Sequence, residues 1–329
     1  MKRILITGSA GFVASHLVEH VLANTDWHVI GIDSFKHRGD SFRIVGDPKR
    51  YDVYCHDLTS PISHRLIDKI GHVDYVMMIA SESHVDRSIS DPVPFIENNI
   101  KLTLNVLEYC RQIKPEKIIQ CSTDEVFGPA PENYAHHEWD VIAPSNPYAA
   151  SKASQDAIAF SYWRTYNCPI MVTHCMNMIG ERQDTEKFIP MCIKKIIKGD
   201  TITIHANSDR SKIGSRMYIH ARNLADAWLY LLNNHTPTKY GESERLDKFN
   251  IVGELELNNL EVAQFIAETL NMPLKYDLVD FHSSRPGHDL RYALNGNKIY
   301  EMGWRPPVPL KDSLKKMIQW TIDHQEWLK

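Results

Sequence analysis

The segment Thr7-Gly8-Ser9-Ala10-Gly11-Phe12-Val13-Ala14 constrains the fold of this chain more than any other. Before it runs an apolar stretch, Arg3–Thr7, that reads as a buried strand. After it comes Ser15–Ala23, where Leu17, Val18, Val21 and Leu22 share one helical face. A strand, a turn spaced GxxGxxA and a helix form a cradle for a pyrophosphate. Gly8 permits the tight turn, and Gly11 lets the backbone approach phosphates at the positive end of the helix, which Phe12 and Val13 open. Ala14 is small enough to let helix and strand pack closely. A second strand, His28–Asp33, ends on a carboxylate placed to accept from ribose hydroxyls. Asp33 would repel a 2′-phosphate, so the expected cofactor is NAD rather than NADP, with Lys36 and Arg38 close by as the opposing consideration. Asp57-Leu58, after a short strand near Tyr51–Cys55, reads as an adenine contact, with an exposed loop carboxylate as the competing reading.

The pattern continues along the first half. Val73–Ala80 is a third strand, Asn99–Ile113 a helix, Lys117–Ser122 a fourth strand, Ser151–Tyr166 a helix and Ile170–Cys175 a further strand. Such alternation predicts an α/β fold: a doubly wound parallel (Rossmann) sheet covered on both faces. Ala80 and Ser122, at strand ends, then fall beside the cofactor. After residue 176 the alternation loosens through Gly199–Arg216 and Thr236–Lys248. Asn258–Leu270 and Leu310–Ile322 read as helices. Residues 1–175 are expected to bind the dinucleotide, with a returning segment near 217–253. Residues 176–329 are expected to form mainly a smaller C-terminal substrate-binding lobe.

At about 150 residues per domain, 329 residues suit such a pair. Lys plus Arg number 37 against 41 Asp plus Glu, a net charge of −4 that argues against a nucleic-acid partner. No run approaches the roughly 18 apolar residues of a membrane span, and the N-terminus lacks the pattern of a signal peptide. The six cysteines show no CxxC spacing, so buried thiols and a cytoplasmic location are expected rather than disulfides or zinc. The 17 histidines show no metal-site spacing, and no metal is expected, His136-His137 included.

Tyr148-Ala149-Ala150-Ser151-Lys152 places a phenol and an ammonium four residues apart on one helical face. The expectation is that Lys152 reaches Tyr148, lowers the phenol pKa and makes it a usable base towards a sugar hydroxyl. Ser122-Thr123-Asp124-Glu125 follows the fourth strand, where parallel sheets gather reactive groups. Thr123 offers a hydroxyl. Asp124 and Glu125, pointing different ways in an extended segment, could serve as one acid and one base; a solvated acidic turn is the ordinary alternative.

These residues resemble the extended short-chain dehydrogenase/reductase family, and within it the nucleotide-sugar 4,6-dehydratases. The likeness runs nearly end to end: SESHVDRS (Ser81–Ser88), IENNI (Ile96–Ile100), STDEVFG (Ser122–Gly128), NPYAASKA (Asn146–Ala153), EKFIP (Glu186–Pro190), RMYIHARNLADA (Arg216–Ala227), NIVG (Asn250–Gly253), RPGHDLRYAL (Arg285–Leu294) and GWRP (Gly303–Pro306). The resemblance implies a lyase that removes water from a nucleotide-activated hexose, dTDP-glucose or similar. Tyr148, with Lys152 and Thr123, would take the 4-hydroxyl proton during oxidation by NAD. Glu125 would remove the C5 proton and Asp124 would protonate the departing C6 hydroxyl, leaving a 4-keto-6-deoxy sugar. It also implies that Arg216 and Arg285 bind the diphosphate with Asn177. Glu186 and Lys187 would border the nucleotide, Ser83 and His84 the nicotinamide and sugar, and Asn250 and His288 would complete the substrate contacts. For His84 a structural role competes. A homodimer through Asn99–Ile113 and Ser151–Tyr166 is implied as well.

Phe127, Met78, Ser81, Met176, Met178 and Asp209–Ser215 depart from the family pattern, which leaves dTDP, UDP, CDP and GDP sugars open. Two other readings remain at this point. One is a 4-epimerase or decarboxylase of the same fold; the other is an inactive protein that keeps NAD for regulation.

Overall fold

The computed structural model describes residues 1–280 and 289–329. Seven parallel strands form the main sheet: β1 (Arg3–Thr7), β2 (His28–Asp33), β3 (Tyr51–Cys55), β4 (Tyr75–Met78), β5 (Lys117–Thr123), β6 (Ile170–Cys175) and β10 (Asp247–Ile251), in the order β10-β6-β5-β4-β1-β2-β3. The strands read as continuous apolar runs because helices cover both faces. On one face α1 (Phe12–Asn24) and α7 (Ala221–Asn234) bury Leu17, Val21, Trp228 and Leu231 against Ile4, Ile6, Ile119 and Met171. On the other, α4 (Pro92–Ile113) and α5 (Pro147–Tyr166) bury Val106, Leu107, Ala159 and Trp163 against Leu5, Val76, Ile118 and Val172. Two shorter helices, α2 (His64–Ile70) and α3 (Val85–Ser90), complete the first half. Chain order reverses between β1 and β4, and a crevice opens there beyond the strand ends.

The second lobe is built on α6 (Phe188–Lys198), α8 (Asn259–Leu270) and the C-terminal helix Leu310–Asp323, which bury Ile193, Ile196, Val262, Ile266, Leu314 and Ile318 together. Two small sheets join them: β7 (Asn177–Ile179) with β9 (Ser215–His220) and β11 (Glu256–Asn258), and β8 (Ile202–Ala206) with β12 (Tyr276–Asp280). The stretch Gly199–Arg216, which reads as irregular in the sequence, thus contains strand β8 and the start of β9. Both central helices begin earlier than their periodicity indicates. Each opens with proline in its first turn, where no backbone donor is needed, and at α5 the Asn146 side chain caps Ala149 N at 2.9 Å.

Among the described residues no helix is long and apolar enough to cross a membrane, and no group of three His, Cys, Asp or Glu could hold a metal ion. All six cysteines are free thiols, five of them buried.

Candidate active site

One cleft of about 670 Å³ runs from the glycine turn to the second lobe. Its first half has the shape of a dinucleotide cradle. Gly8 holds φ +68°, and a Cβ there would lie 3.0 Å from Ala80 Cα; a Cβ on Gly11 would lie 2.9 Å from Gly8 O. Any side chain at either position would crowd the turn. Asp33 accepts from Ala10 N and Phe35 N, each at 2.9 Å, so its carboxylate is fixed at the mouth of the turn. Phe12, Val13, Asp57, Leu58, Ala80 and Ser122 line the same half. Lys36 pairs with Asp57 at 2.6 Å and draws that carboxyl down to about 2. Arg38 pairs with Glu186. The two cations that could have met a 2′-phosphate are therefore each held by a carboxylate. A glycine cradle and a fixed Asp33 fit NAD.

The N-terminus of α5 carries Tyr148 and Lys152 into the middle of the cleft, and both are buried. The Lys152 ammonium donates to Cys121 O at 2.7 Å. The expected lowering of the phenol is not found. Burial pushes Tyr148 well above its ordinary value, the Glu125 carboxylate pushes it further, and a hydrogen bond with Thr123 pulls the other way. Burial also draws Lys152 down. Helical spacing in the sequence reveals the cation one turn away, but not the desolvation or the carboxylates that β5 brings in.

Asp124–Phe127 form a 3-10 turn rather than an extended segment, capped by the Thr123 hydroxyl. The turn still separates the two acids. Asp124 is 4% exposed; Oδ1 accepts from Thr123 Oγ1 at 2.9 Å, and Oδ2 has no partner among the described residues. Burial, then the neighbouring Glu125 charge, pushes Asp124 up to about 7. Glu125 turns towards Asn146, whose Nδ2 donates to Oε2 at 3.0 Å. The adjacent carboxylates thus stand in different surroundings, and the raised Asp124 is suited to give a proton.

The second lobe closes the far end. Asn177, Glu186, Lys187 and Arg216 line the cleft with Ser83 and His84. Arg216 is held by Ser215 O, Leu290 O and Asp289 O at 2.6–2.7 Å and lies 4.6 Å over the Tyr292 ring. Three of its five donors are thereby used, which fixes the plane of the guanidinium and leaves two for an anion. Lys187 Nζ donates to Ser83 O at 3.2 Å. His84 caps α3, its Nδ1 accepting from Arg87 N at 3.3 Å, and its Nε2 lies 3.7 Å from Glu186. Asn250 is not brought to the cleft. It is fully buried in β10, and its Nδ2 donates to His136 O and Asn295 O at 2.9 and 3.1 Å. Arg285 and His288 lie outside the described residues.

Two cleft groups, Glu82 and Tyr292, were given no role in the sequence reading. Glu82 is buried and pairs with His37 at 2.7 Å and Arg87 at 3.4 Å, and Tyr292 backs Arg216. Arg87 comes from α3, five residues on, but His37 comes from the loop after β2, which no local spacing reveals. Asn146 was read neither as the cap of α5 nor as a partner of Glu125, because the helix was expected to begin at Ser151.

A profile of the NAD dependent epimerase/dehydratase family matches residues 4–251. The chain belongs to that family. A dTDP-glucose 4,6-dehydratase of Shigella flexneri is 33% identical over 352 aligned positions, covering 99% of this chain and 94% of the relative. The crystal structure of the dTDP-glucose 4,6-dehydratase DesIV from Streptomyces venezuelae, with NAD bound, superposes with a TM-score of 0.86 at 30% identity, covering 99% of this chain and all of that one. The UDP-glucose 4-epimerase of Thermus thermophilus, in complex with NAD, gives 0.83 at 26% identity over 97% of this chain and 98% of that one. The family thus contains both reactions, and the residues around Tyr148 must decide between them.

Proposed function

We propose that this family member is a nucleotide-sugar 4,6-dehydratase, a lyase that converts an NDP-hexose, dTDP-glucose or a similar sugar, to the NDP-4-keto-6-deoxyhexose. The observation that carries this reading is Asp124, raised to about 7 beside Glu125 and in the same cleft as Tyr148 and Lys152. Reversible oxidation at C4 needs only a base near that hydroxyl. A second acid and base are needed only if a bond at C5 and C6 is also broken.

When bound, NAD supplies oxidising power at C4 and, later, reducing power at C6. The protein groups handle the protons. Tyr148 takes the proton of the 4-hydroxyl. Burial and the carboxylates hold its phenol protonated, and the hydrogen bond with Thr123 opposes them; the Lys152 cation, one turn along the helix in the same cleft, is proposed to favour the ionised form during the reaction. The 4-ketone makes the C5 hydrogen acidic, and Glu125 removes it. Asp124 gives its proton to the C6 hydroxyl, which leaves as water. C6 is then reduced while a proton returns to C5, so the net change is the loss of one water. Arg216, held flat by its carbonyls, pairs with the diphosphate through its remaining donors, beside Asn177 and Lys187. Ser83 and His84 border the sugar.

Incubating the holoenzyme with dTDP-glucose, UDP-glucose, UDP-N-acetylglucosamine, CDP-glucose and GDP-mannose in heavy water tests this. At least one substrate should lose water and gain solvent deuterium at C5, and deuterium placed at C4 should reappear in the C6 methyl. An unchanged mass with inversion at C4, loss of carbon dioxide, or no reaction with any of the five would overturn the reading.

The free thiols fit a reducing, cytoplasmic setting. A homodimer is part of the same proposal. α4 and α5 lie side by side, and α4 exposes Val93, Ile96 and Leu104 while α5 exposes Tyr166. A second copy would cover that face. Sedimentation should return twice the mass of the chain, and a single-chain mass at micromolar concentration would count against it.

A further inference from the structure

Asp156 lies one turn along α5 from Lys152 and two from Tyr148, and no role described so far uses it. It is 3% exposed. Its Oδ2 accepts from Ser122 Oγ at 3.0 Å and from His174 Nε2 at 3.0 Å. Ser122 and His174 are register partners on β5 and β6, so one buried carboxylate holds the ends of two neighbouring strands. The next residue along β5 is Thr123, whose hydroxyl contacts both Asp124 and Tyr148.

The Lys152 ammonium raises a second question. It is buried, and its hydrogen bond goes to a neutral carbonyl. A charge out of water needs an opposite charge close by. The titratable groups that act on Lys152 are the Cys121 and Cys175 thiols of the sheet and, on its own helix, Asp156. Besides Lys152, Asp156 faces His174 from β6 and, from β10, the ammonium of the buried Lys248. Asp156 therefore stands between the strand end that presents Thr123 and the cation that serves Tyr148.

We propose that Asp156 is a positioning residue: its carboxylate fixes Ser122, and with it the adjoining Thr123, and provides the buried counter-charge of the Lys152 ammonium. The catalytic consequence rests on the dehydratase reading; the effect on Lys152 does not. The amide of Asp156→Asn keeps the shape and the acceptor but removes the charge. Lys152 then gives up its proton more readily and titrates at a lower pH.

The test uses the holoenzyme in two measurements. In D156N the kcat for dehydration should fall about tenfold or more while KM stays within about twofold, because Asp156 touches no substrate. The Cε resonance of Lys152, followed by NMR in lysine-labelled protein without substrate, should titrate about one pH unit below the parent. That resonance decides the proposal even if none of the five sugars is dehydrated. A fall in kcat with Lys152 titrating as in the parent would mark a purely structural role and overturn the proposal, as would parent behaviour in both measurements. If D156N does not fold, His174→Phe decides. It leaves the charge but removes one of the two donors, and kcat should drop about threefold to tenfold at unchanged KM; a parent kcat would overturn the proposal.

Discussion

Glu125→Gln is expected to stop the reaction after oxidation at C4. The glutamine keeps an amide oxygen that can accept from Asn146 Nδ2 as the carboxylate does, while Asn146 Oδ1 goes on capping α5, so the turn after β5 keeps its shape. What is lost is the ability to accept a proton from C5. Dehydration should fall by about 10²–10⁴, the usual worth of a positioned general base. Tyr148 and Lys152 remain in place, and loss of the Glu125 charge removes one of the causes that hold the phenol up, so a single turnover should accumulate reduced nicotinamide, visible by its near-ultraviolet absorbance. Multiple-turnover product formation and the single-turnover spectrum together check the assignment. A variant that dehydrates at the parent rate, or one that neither dehydrates nor reduces the cofactor although it binds substrate, would remove Glu125 from the C5 step.

Asp124→Asn should lower kcat by about a hundredfold or more, since an amide has no proton to give to a departing hydroxyl. The same group predicts a pH dependence in the parent. Burial and Glu125 raise Asp124 to about 7, so its proton is in place below that pH and is lost above it. A group that must be protonated to act gives a rate that declines as pH climbs through its pKa. The kcat profile of the parent should therefore fall on the alkaline side near pH 7, and that limb should vanish in D124N. A limb that persists in the variant would belong to another group.

Those effects depend on features that differ in how far the sequence exposes them. The glycine turn, Asp33 and the Tyr148/Lys152 pair were legible because each is a matter of local spacing: a turn between a strand and a helix, the end of the next strand, four residues on one face. Six of the seven strands of the main sheet were legible from their apolar runs; β10 was not, because Asp247 and Lys248 belong to a stretch that reads as a polar interruption. The starts of α4 and α5 were not, because Pro92 and Pro147 punctuate the chain like loop residues while serving as first-turn positions. The direction of the Tyr148 shift was hidden because it depends on burial and on carboxylates more than 20 positions away in the chain, at Glu125 and Asp124. Asn250 looked like a polar residue awaiting a ligand. In the fold it is an interior strand residue whose amide is consumed by two loop carbonyls. The resemblance to 4,6-dehydratases carried the reading furthest at Asp124 and Glu125, where the pair alone reads as an ordinary solvated turn.

β10 has a bearing on how such a chain could be altered. It pairs with β6 along the whole run from Asp247↔Met171 to Ile251↔Cys175, yet β7, α6, β8 and β9 of the second lobe are threaded between those two strands in the chain. Cutting after β6 would strip the nucleotide half of its outer rib and lay bare a row of unpaired amides and carbonyls, an invitation to aggregate. New substrate preferences in this architecture are thus more readily reached by rewriting loops in place than by grafting one half of the protein onto a foreign cofactor-binding module.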